Sequence, residues 1–294
     1  MTHTSGLPPY APVSELQEKY GFPNPKGLME YISTCKREFK PQYSCLNYIT
    51  LQHIIETITG QSLRDFAKEN IFDILGMQYT DYLPTIQQQD GKWINTVACP
   101  WMDRIAPTEK QKDGSVLCGQ VHDPLARILN GGISGNAGIF SNANDIGILA
   151  AALLNGGEYN GRRILSPLGV KTMCTVPREL TAFGRTPGWD IFSPYASNKG
   201  DLFSPNTFGH TGYTGTSIII DPDNDTAVIL LVNAVHPEDR HSIVRLRSLV
   251  ANAVAASICP SAQVYTDHYY KRFLQFETET PISPKDIVMV GNKI

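Results

Sequence analysis

Ser33-Thr34-Cys35-Lys36 sets a hydroxyl and an amine one helical turn apart, the spacing at which a lysine can take up a serine's proton and make its oxygen a nucleophile. It is the single S-x-x-K in the 294-residue chain, and a four-residue spacing arises readily by chance. His210-Thr211-Gly212-Tyr213 puts an imidazole at the head of an apolar β-type run. Beside a glycine alone it would read as a surface-loop histidine; its place before a strand points to a site. Tyr43 stands before Ser44-Cys45, at the mouth of a helical pattern, and is either a proton-carrying phenol or an ordinary half-buried tyrosine. His3 and Ser5 could pair, but they lie in what reads as a tight turn, so both are taken as structural. His122-Asp123 could be a dyad or part of a metal site; as one neighbouring pair it is more simply a helix cap. His236, before Pro237, reads as a residue at the start of a helix. Six cysteines (Cys35, Cys45, Cys99, Cys118, Cys174 and Cys259) lie far apart with no C-x-x-C pair. Zinc is therefore not expected, nor is any other metal or cofactor, and the cysteines read as free thiols or at most one bridge.

These groups need a scaffold, and the pattern of apolar residues outlines one. Residues 1–42 are rich in Pro, Gly and Tyr and predict irregular structure with at most a short helix near Gly27–Lys36. Leu51, Ile54, Ile55 and Ile58 form an i, i+3, i+4, i+7 stripe that Gly60 closes. Ser62 opens a second helix, with Leu63, Phe66 and Ala67 inward and Asp65 at the capping-acid position. From Tyr79 to about Asn130 the pattern is loop-like. The glycine-rich run from Gly131 to Gly138 leads into a helix over Asp145–Leu154, and Ser166-Pro167 starts another that reaches about Cys174. After irregular residues 177–207, strands over Thr214–Ile220 and Ala227–Val232 flank an Asp/Asn/Pro turn, which makes a hairpin. Pro237 opens a final helix over Glu238–Ser257, with Ile243, Leu246, Val250 and Val254 on one face. This order predicts an α/β (α+β) fold, a sheet covered by helices with a helical subdomain.

Composition narrows the function classes. The chain is 41% hydrophobic and 18% charged with a formal net charge of −3, so phosphate backbones and anionic membranes are not expected partners. No run approaches 18 apolar residues, and no signal peptide begins at Met1. The sequence does not set the oligomeric state or the compartment.

Four stretches carry a family resemblance. Thr2-His3-Thr4-Ser5-Gly6-Leu7-Pro8 is similar to a "THTSGLP" segment. Tyr43-Ser44-Cys45, followed by Thr59-Gly60 and by Ile71 to Met77, resembles "YSN…TG…IFxPLGM". Gly132 to Asp145 resembles "GGVAGHAGLFSTAxD", and His210-Thr211-Gly212 resembles the "K/H-T-G" strand motif. All four belong to the serine β-lactamase and penicillin-binding-protein superfamily, on the side of class C-related enzymes, esterases and D-Ala peptidases. They run in the right order from residue 2 to residue 237, roughly four-fifths of the chain.

The resemblance implies a β-lactamase/transpeptidase-like fold, mostly antiparallel sheet flanked by helices. It implies acyl transfer on an amide or ester, such as a β-lactam, a D-Ala peptide or a small ester, with a small molecule or peptide as partner. Tyr43 takes the general-base position and His210 the strand-motif position. Cys45, Thr211, Gly212 and Tyr213 fall at substrate-binding positions, the Tyr213 N–H as an oxyanion donor. Members of this superfamily usually work outside the cytoplasm. Their S-x-x-K precedes the "THTSGLP" segment by tens of residues, whereas Ser33–Lys36 aligns with the approach to Tyr43. The expectation is an N-terminally truncated chain, inactive by itself, with a β-lactamase-related domain over 1–265 and an extension over 266–294. Cys45 replaces the usual Asn or Asp, Asn136 stands where His is common, and the path into Tyr43 is short. Cys45 and the missing S-x-x-K favour the rival, a non-catalytic protein that binds a ligand or partner through the same cleft, while the retained Tyr43 and His210-Thr211-Gly212 count against it; an incomplete gene product is a third possibility.

Overall fold

The computed structural model describes residues 1–38, 40–193, 199–239 and 242–258. The first three helices are α1 (Val13–Tyr20), α2 (Pro25–Thr34) and α3 (Cys45–Thr59). Asn24 caps α2 by accepting the Gly27 N–H at 2.8 Å, with Pro25 as the first helical residue. Ser44 caps α3, and Gly60 in a left-handed conformation ends it. The three helices bury Leu16, Leu28, Ile32, Leu46 and Ile49 against Leu7, Leu125 and Leu129. Residues 1–42 therefore hold two helices rather than at most one. Of its own residues α1 buries only Leu16, too little to leave a periodic signature.

Downstream, α4 (Leu63–Ala67) widens through Lys68–Phe72 into α5 (Asp73–Leu75). Short strands follow: β1 (Asp81–Tyr82), β2 (Thr85–Gln87), β3 (Trp93–Asn95) and β4 (Ile139–Phe140), then α6 (Ala143–Leu154), β5 (Glu158–Tyr159), β6 (Arg162–Arg163) and α7 (Pro167–Met173). β1 pairs with β4, β2 with β3 and β5 with β6, all antiparallel. The glycine-rich loop before β4 lies directly on α3. A Cβ on Gly135 would stand 2.0 Å from the Tyr48 carbonyl oxygen. The Gln52 side chain fixes that approach, accepting the Gly135 N–H at 2.9 Å and donating to the Ile133 carbonyl at 3.1 Å.

The last strands, β7 (Phe208–Thr211), β8 (Ser217–Asp221) and β9 (Thr226–Leu230), form one antiparallel sheet in the order β7-β8-β9. The expected hairpin is β8–β9, closed where Asp221 pairs with Thr226. Asp221 is fully buried, and its carboxylate accepts from Ser204 N–H and Oγ–H, Asp223 N–H and the Asn224 amide. Side chains alternate across a strand, so Ile220 faces Ala150, Leu153 and Val170 of α6 and α7 while Ile219 faces Ala251 of α8 (Val244–Ser257). The fold is thus α/β, an antiparallel sheet between helices. α8 begins at Val244 and not at Glu238. The Pro237 carbonyl instead accepts the Lys110 N–H at 2.8 Å, and His236 Nδ1 stands 2.8 Å from the Thr108 carbonyl, so His236 is not a helix residue. Among the described residues no helix is long and apolar enough to cross a membrane. The expected boundary at 265, the extension to 294 and Cys259 lie outside the described residues.

Candidate functional site

Tyr43 is delivered by the turn before α3, and that turn is stitched to the first nine residues. Gln42 N–H donates to the His3 carbonyl at 3.0 Å and Cys45 N–H to the Pro9 carbonyl at 2.9 Å. Between them, Ser44 N–H donates to His3 Nδ1 at 3.1 Å and Ser44 Oγ–H to the Pro8 carbonyl at 2.5 Å. The Thr2–Pro8 segment is the frame of the tyrosine turn. His3 pays for its place with a left-handed backbone, φ 57°, which costs a non-glycine residue roughly 1–2 kcal/mol.

Strand β7 brings His210. The two rings, 167 residues apart in sequence (210 − 43), have centroids 6.3 Å apart. The His210 imidazole therefore sits near the C-terminal end of its own strand, rather than at the head of the apolar run that follows. His210 Nδ1 lies 2.9 Å from the Thr211 carbonyl. A carbonyl only accepts, so Nδ1 carries the proton and Nε2 holds the lone pair. Burial, then the positive charge of Arg185, lowers the His210 pKa from its ordinary value, which keeps the ring neutral at pH 7.

His3 has the opposite tautomer. Its Nδ1 accepts from Ser44, so its proton is on Nε2, a buried atom with no hydrogen-bond partner among the described residues. Its ring stacks on Tyr43 at 4.3 Å and tilts against Tyr48 at 5.3 Å. Burial first, then Arg185, His210 and the terminal amine, lower its pKa from 6.5 to about 3.

Arg185 completes the group, with Cζ 4.9 Å from the Tyr43 ring centroid. It is buried and pairs with buried Asp190 at 3.1 Å. Asp190 also accepts from Ser193 Oγ–H at 2.8 Å, and its backbone exchanges two 3.0 Å bonds with Gly209. The ion pair is thereby fixed to the strand that carries His210. Sequence reasoning missed Arg185, Asp190 and Tyr48 and read His3 as structural. The first two lie in a stretch without periodicity, and nothing local marks them.

The other expected residues are placed as follows. Thr211 pairs with Ser217 at the end of β7–β8, and Gly212 N–H is used by the Thr216 carbonyl at 2.8 Å. Tyr213 is 75% exposed, its ring against His122 and its hydroxyl donating to Asp239. Cys45 opens α3, and burial followed by the nearby Asp123 charge raises its thiol to about 11. Asn136, whose nearness lowers that thiol slightly against this rise, is held by Ser134 and Asp123, so the two departures from the family pattern are neighbours in space. Asp123 caps the turn over Leu125–Leu129 by accepting the Ala126 N–H at 2.7 Å, and also accepts from the Tyr10 hydroxyl. His122 Nε2 stands 3.2 Å from a Glu109 oxygen. Ser33 and Lys36 are exposed at the end of α2, with Ser33 Oγ–H donating to the Glu30 carbonyl. The described cysteines Cys35, Cys45, Cys99, Cys118 and Cys174 are free thiols.

Comparison with known proteins adds independent findings. A protein of Escherichia coli (strain K12) provisionally named D-alanyl-D-alanine carboxypeptidase is 34% identical over 226 residues, 71% of this chain and 49% of that protein. One of the same provisional name from Salmonella gallinarum is 32% identical over 254 residues, 80% of this chain and 56% of that protein. The chain thus spans about half the length of these relatives. Among solved structures, a penicillin-binding-protein homologue from Caulobacter crescentus superposes with a TM-score of 0.55 at 16% identity, covering 86% of this chain and 69% of that one. A β-lactamase from Mycobacterium bovis gives 0.53 at 18% identity, covering 87% of this chain and 71% of that one. These two share the fold. The sequence model of the Beta-lactamase family matches residues 1–252, and the chain belongs to that family.

Proposed function

We propose that this chain supplies the proton-handling side of a serine-hydrolase centre that transfers the acyl group of an amide or ester. D-Ala peptides are the first substrate class to try, given the name its relatives carry. The observation that carries the reading is the approach of Tyr43 to His210, 6.3 Å between ring centroids, from elements far apart in the sequence. A serine hydroxyl attacking a carbonyl must lose its proton, and the departing amine or alcohol must gain one. Tyr43 and the Nε2 lone pair of His210 are the groups placed to carry that proton. The Tyr213 N–H is the candidate oxyanion donor.

The attacking serine is not Ser33 in this reading. Its hydroxyl is exposed on α2 and donates to a backbone carbonyl. Chain 1–294 by itself is therefore expected to bind without acylation. A non-catalytic binding protein of the same fold is the second reading, favoured by Cys45, a partly buried thiol at the start of α3 where the family has Asn or Asp.

Purified chain is incubated with a fluorescent penicillin and a fluorophosphonate, and reversible binding of an acyl-D-alanyl-D-alanine peptide is measured by calorimetry. The expected result is no covalent label, with peptide binding weakened roughly tenfold or more in His210→Ala and in Tyr43→Phe. Label that disappears in Ser33→Ala would overturn the exclusion of Ser33. Peptide binding indifferent to both substitutions would remove Tyr43 and His210 from the site. An in-frame S-x-x-K in the codons upstream of Met1 would favour the hydrolase over the binding protein.

A further inference from the structure

We propose that His3 is a positioning residue for Tyr43, gripping the backbone on both sides of that tyrosine and backing its ring, so that it sets where the phenol stands relative to His210. The proposal rests on the reading of Tyr43 given above and extends it to a residue of the Thr2–Pro8 segment that was read as structural.

Tyr43 is bracketed by two N–H groups, and both end on the same residue. Gln42 donates to the His3 carbonyl at 3.0 Å and Ser44 to His3 Nδ1 at 3.1 Å. The Asn47 amide, one turn into α3, lies 3.3 Å from the same nitrogen. The His3 ring stacks on Tyr43 with a 29° interplanar angle. One residue thus fixes Tyr43 before, behind and across its face.

The residue type follows from these demands. The grip needs an acceptor at the δ position and a flat ring beyond it. Asparagine has the acceptor without the ring, and leucine has apolar bulk with neither. A left-handed backbone turns the His3 carbonyl and side chain toward the same turn. Histidine accepts at Nδ1 only while that nitrogen is unprotonated. The groups facing the ring are Arg185, His210, the terminal amine, Tyr43, Tyr48, Ser44 and Asn47. None is an anion, and each positive charge among them opposes a second proton on His3. The grip therefore persists from neutral into mildly acidic solution.

A filler histidine would make the same contacts without governing Tyr43, and three spectroscopic readouts separate the two. The full chain, labelled with 15N and with 13C in its tyrosine rings, is compared as wild type, His3→Asn and His3→Leu, with Tyr43 assigned through Tyr43→Phe. In the wild type His3 is expected to show an unprotonated Nδ1 and a protonated Nε2 throughout the neutral range. Amide exchange at Ser44 is expected to accelerate roughly tenfold in His3→Leu and to stay within about threefold of wild type in His3→Asn, which keeps the acceptor. The Tyr43 ring resonance should move in both variants. Tyr82, buried in a different cluster, should not move in either. Unchanged Tyr43 and Ser44 signals in His3→Leu, or a protonated Nδ1 in the wild type, would overturn the proposal. If His3→Leu does not fold, an unmoved Tyr43 resonance in His3→Asn does so alone. A grip that passes these tests while peptide binding ignores Tyr43→Phe would sink the chemical reading of Tyr43 and leave the positioning intact.

Discussion

Lowering the pH from 7 to 5 is expected to weaken this fold through His3 by about 2 kcal/mol. The side chain is 1% exposed. Burial first, then Arg185, His210 and the terminal amine, lower its pKa from 6.5 to about 3. The unfolded chain takes up a proton at His3 below about pH 6.5, while the folded chain resists until about pH 3. Between those values the unfolded state binds more protons, so stability falls as pH falls and is level above the window. At about 1.36 kcal/mol per pH unit the full window is worth at most about 5 kcal/mol. The share lost between pH 7 and pH 5 is about 2 kcal/mol, because the unfolded histidine is already partly protonated at its upper edge. Set against a total stability of roughly 5–15 kcal/mol and a urea slope of about 1–3 kcal/mol per molar, the midpoint should drop by roughly 1 M. His210, lowered by burial and then by Arg185, pushes in the same direction. The assay is urea unfolding followed by circular dichroism at pH 7, 6 and 5, for the wild type and His3→Asn. Asparagine does not titrate, so the difference between the two curves isolates His3. That difference should shrink by about 2 kcal/mol toward pH 5. Parallel pH profiles would refute the buried neutral imidazole and everything derived from its tautomer.

Two further substitutions test the scaffold. Leu46→Ala, at a site with no exposure in the first core, is expected to cost about 2–5 kcal/mol in chemical denaturation; a loss well under 1 kcal/mol would mean that α3 does not pack as described. Gly135→Ala, whose new carbon would fall 2.0 Å from the Tyr48 carbonyl oxygen, is expected to cost about 1–3 kcal/mol and to disturb the Tyr48 amide in an NMR spectrum. A neutral Gly135→Ala would show that the glycine-rich loop does not rest on α3.

The parts of this fold that announce themselves in sequence are those whose stabilisation is local. Ser62 and Ser166 each accept an N–H three residues on and start their helices where the pattern predicts; the helix expected from Asp145 starts two residues earlier, at Ala143, where Asn142 caps it. The β8–β9 turn is legible for the same reason. Where a distant contact decides, local reading fails. Pro237 carries a helix-start signature, yet its carbonyl is held by Lys110 and the helix waits until Val244. Strand β7 was hidden because Gly209 breaks its alternation. That glycine is there because a Cβ would meet the Ile218 carbonyl oxygen at 2.3 Å, so tight pairing with β8 erased the pattern that would have revealed the strand. Tyr43 and His210 were found through the family resemblance. His3 was seen and set aside, because its partner Ser44 is 41 residues away and no spacing rule links them.

The tautomers of the two histidines bear on what this centre can do. Around Tyr43 stand three basic side chains, but His3 and His210 are both held neutral, leaving Arg185 as the permanent cation, offset by Asp190. His210 offers a lone pair at Nε2 because its Nδ1–H donates to the Thr211 carbonyl, and His3 offers an N–H at Nε2 because the Ser44 N–H donates to its Nδ1. The tyrosine ring thus neighbours one neutral imidazole with its lone pair on Nε2 and another whose lone pair on Nδ1 is already occupied by the Ser44 N–H. In the proposed reading a proton would move from an incoming hydroxyl toward His210, while His3, its pKa lowered to about 3, stays fixed. If the roles were reversed, protonation of His3 would break its bond to the Ser44 N–H and release the turn that carries Tyr43. In that reading, proton transfer and mechanical support would be separated by which nitrogen each backbone group occupies.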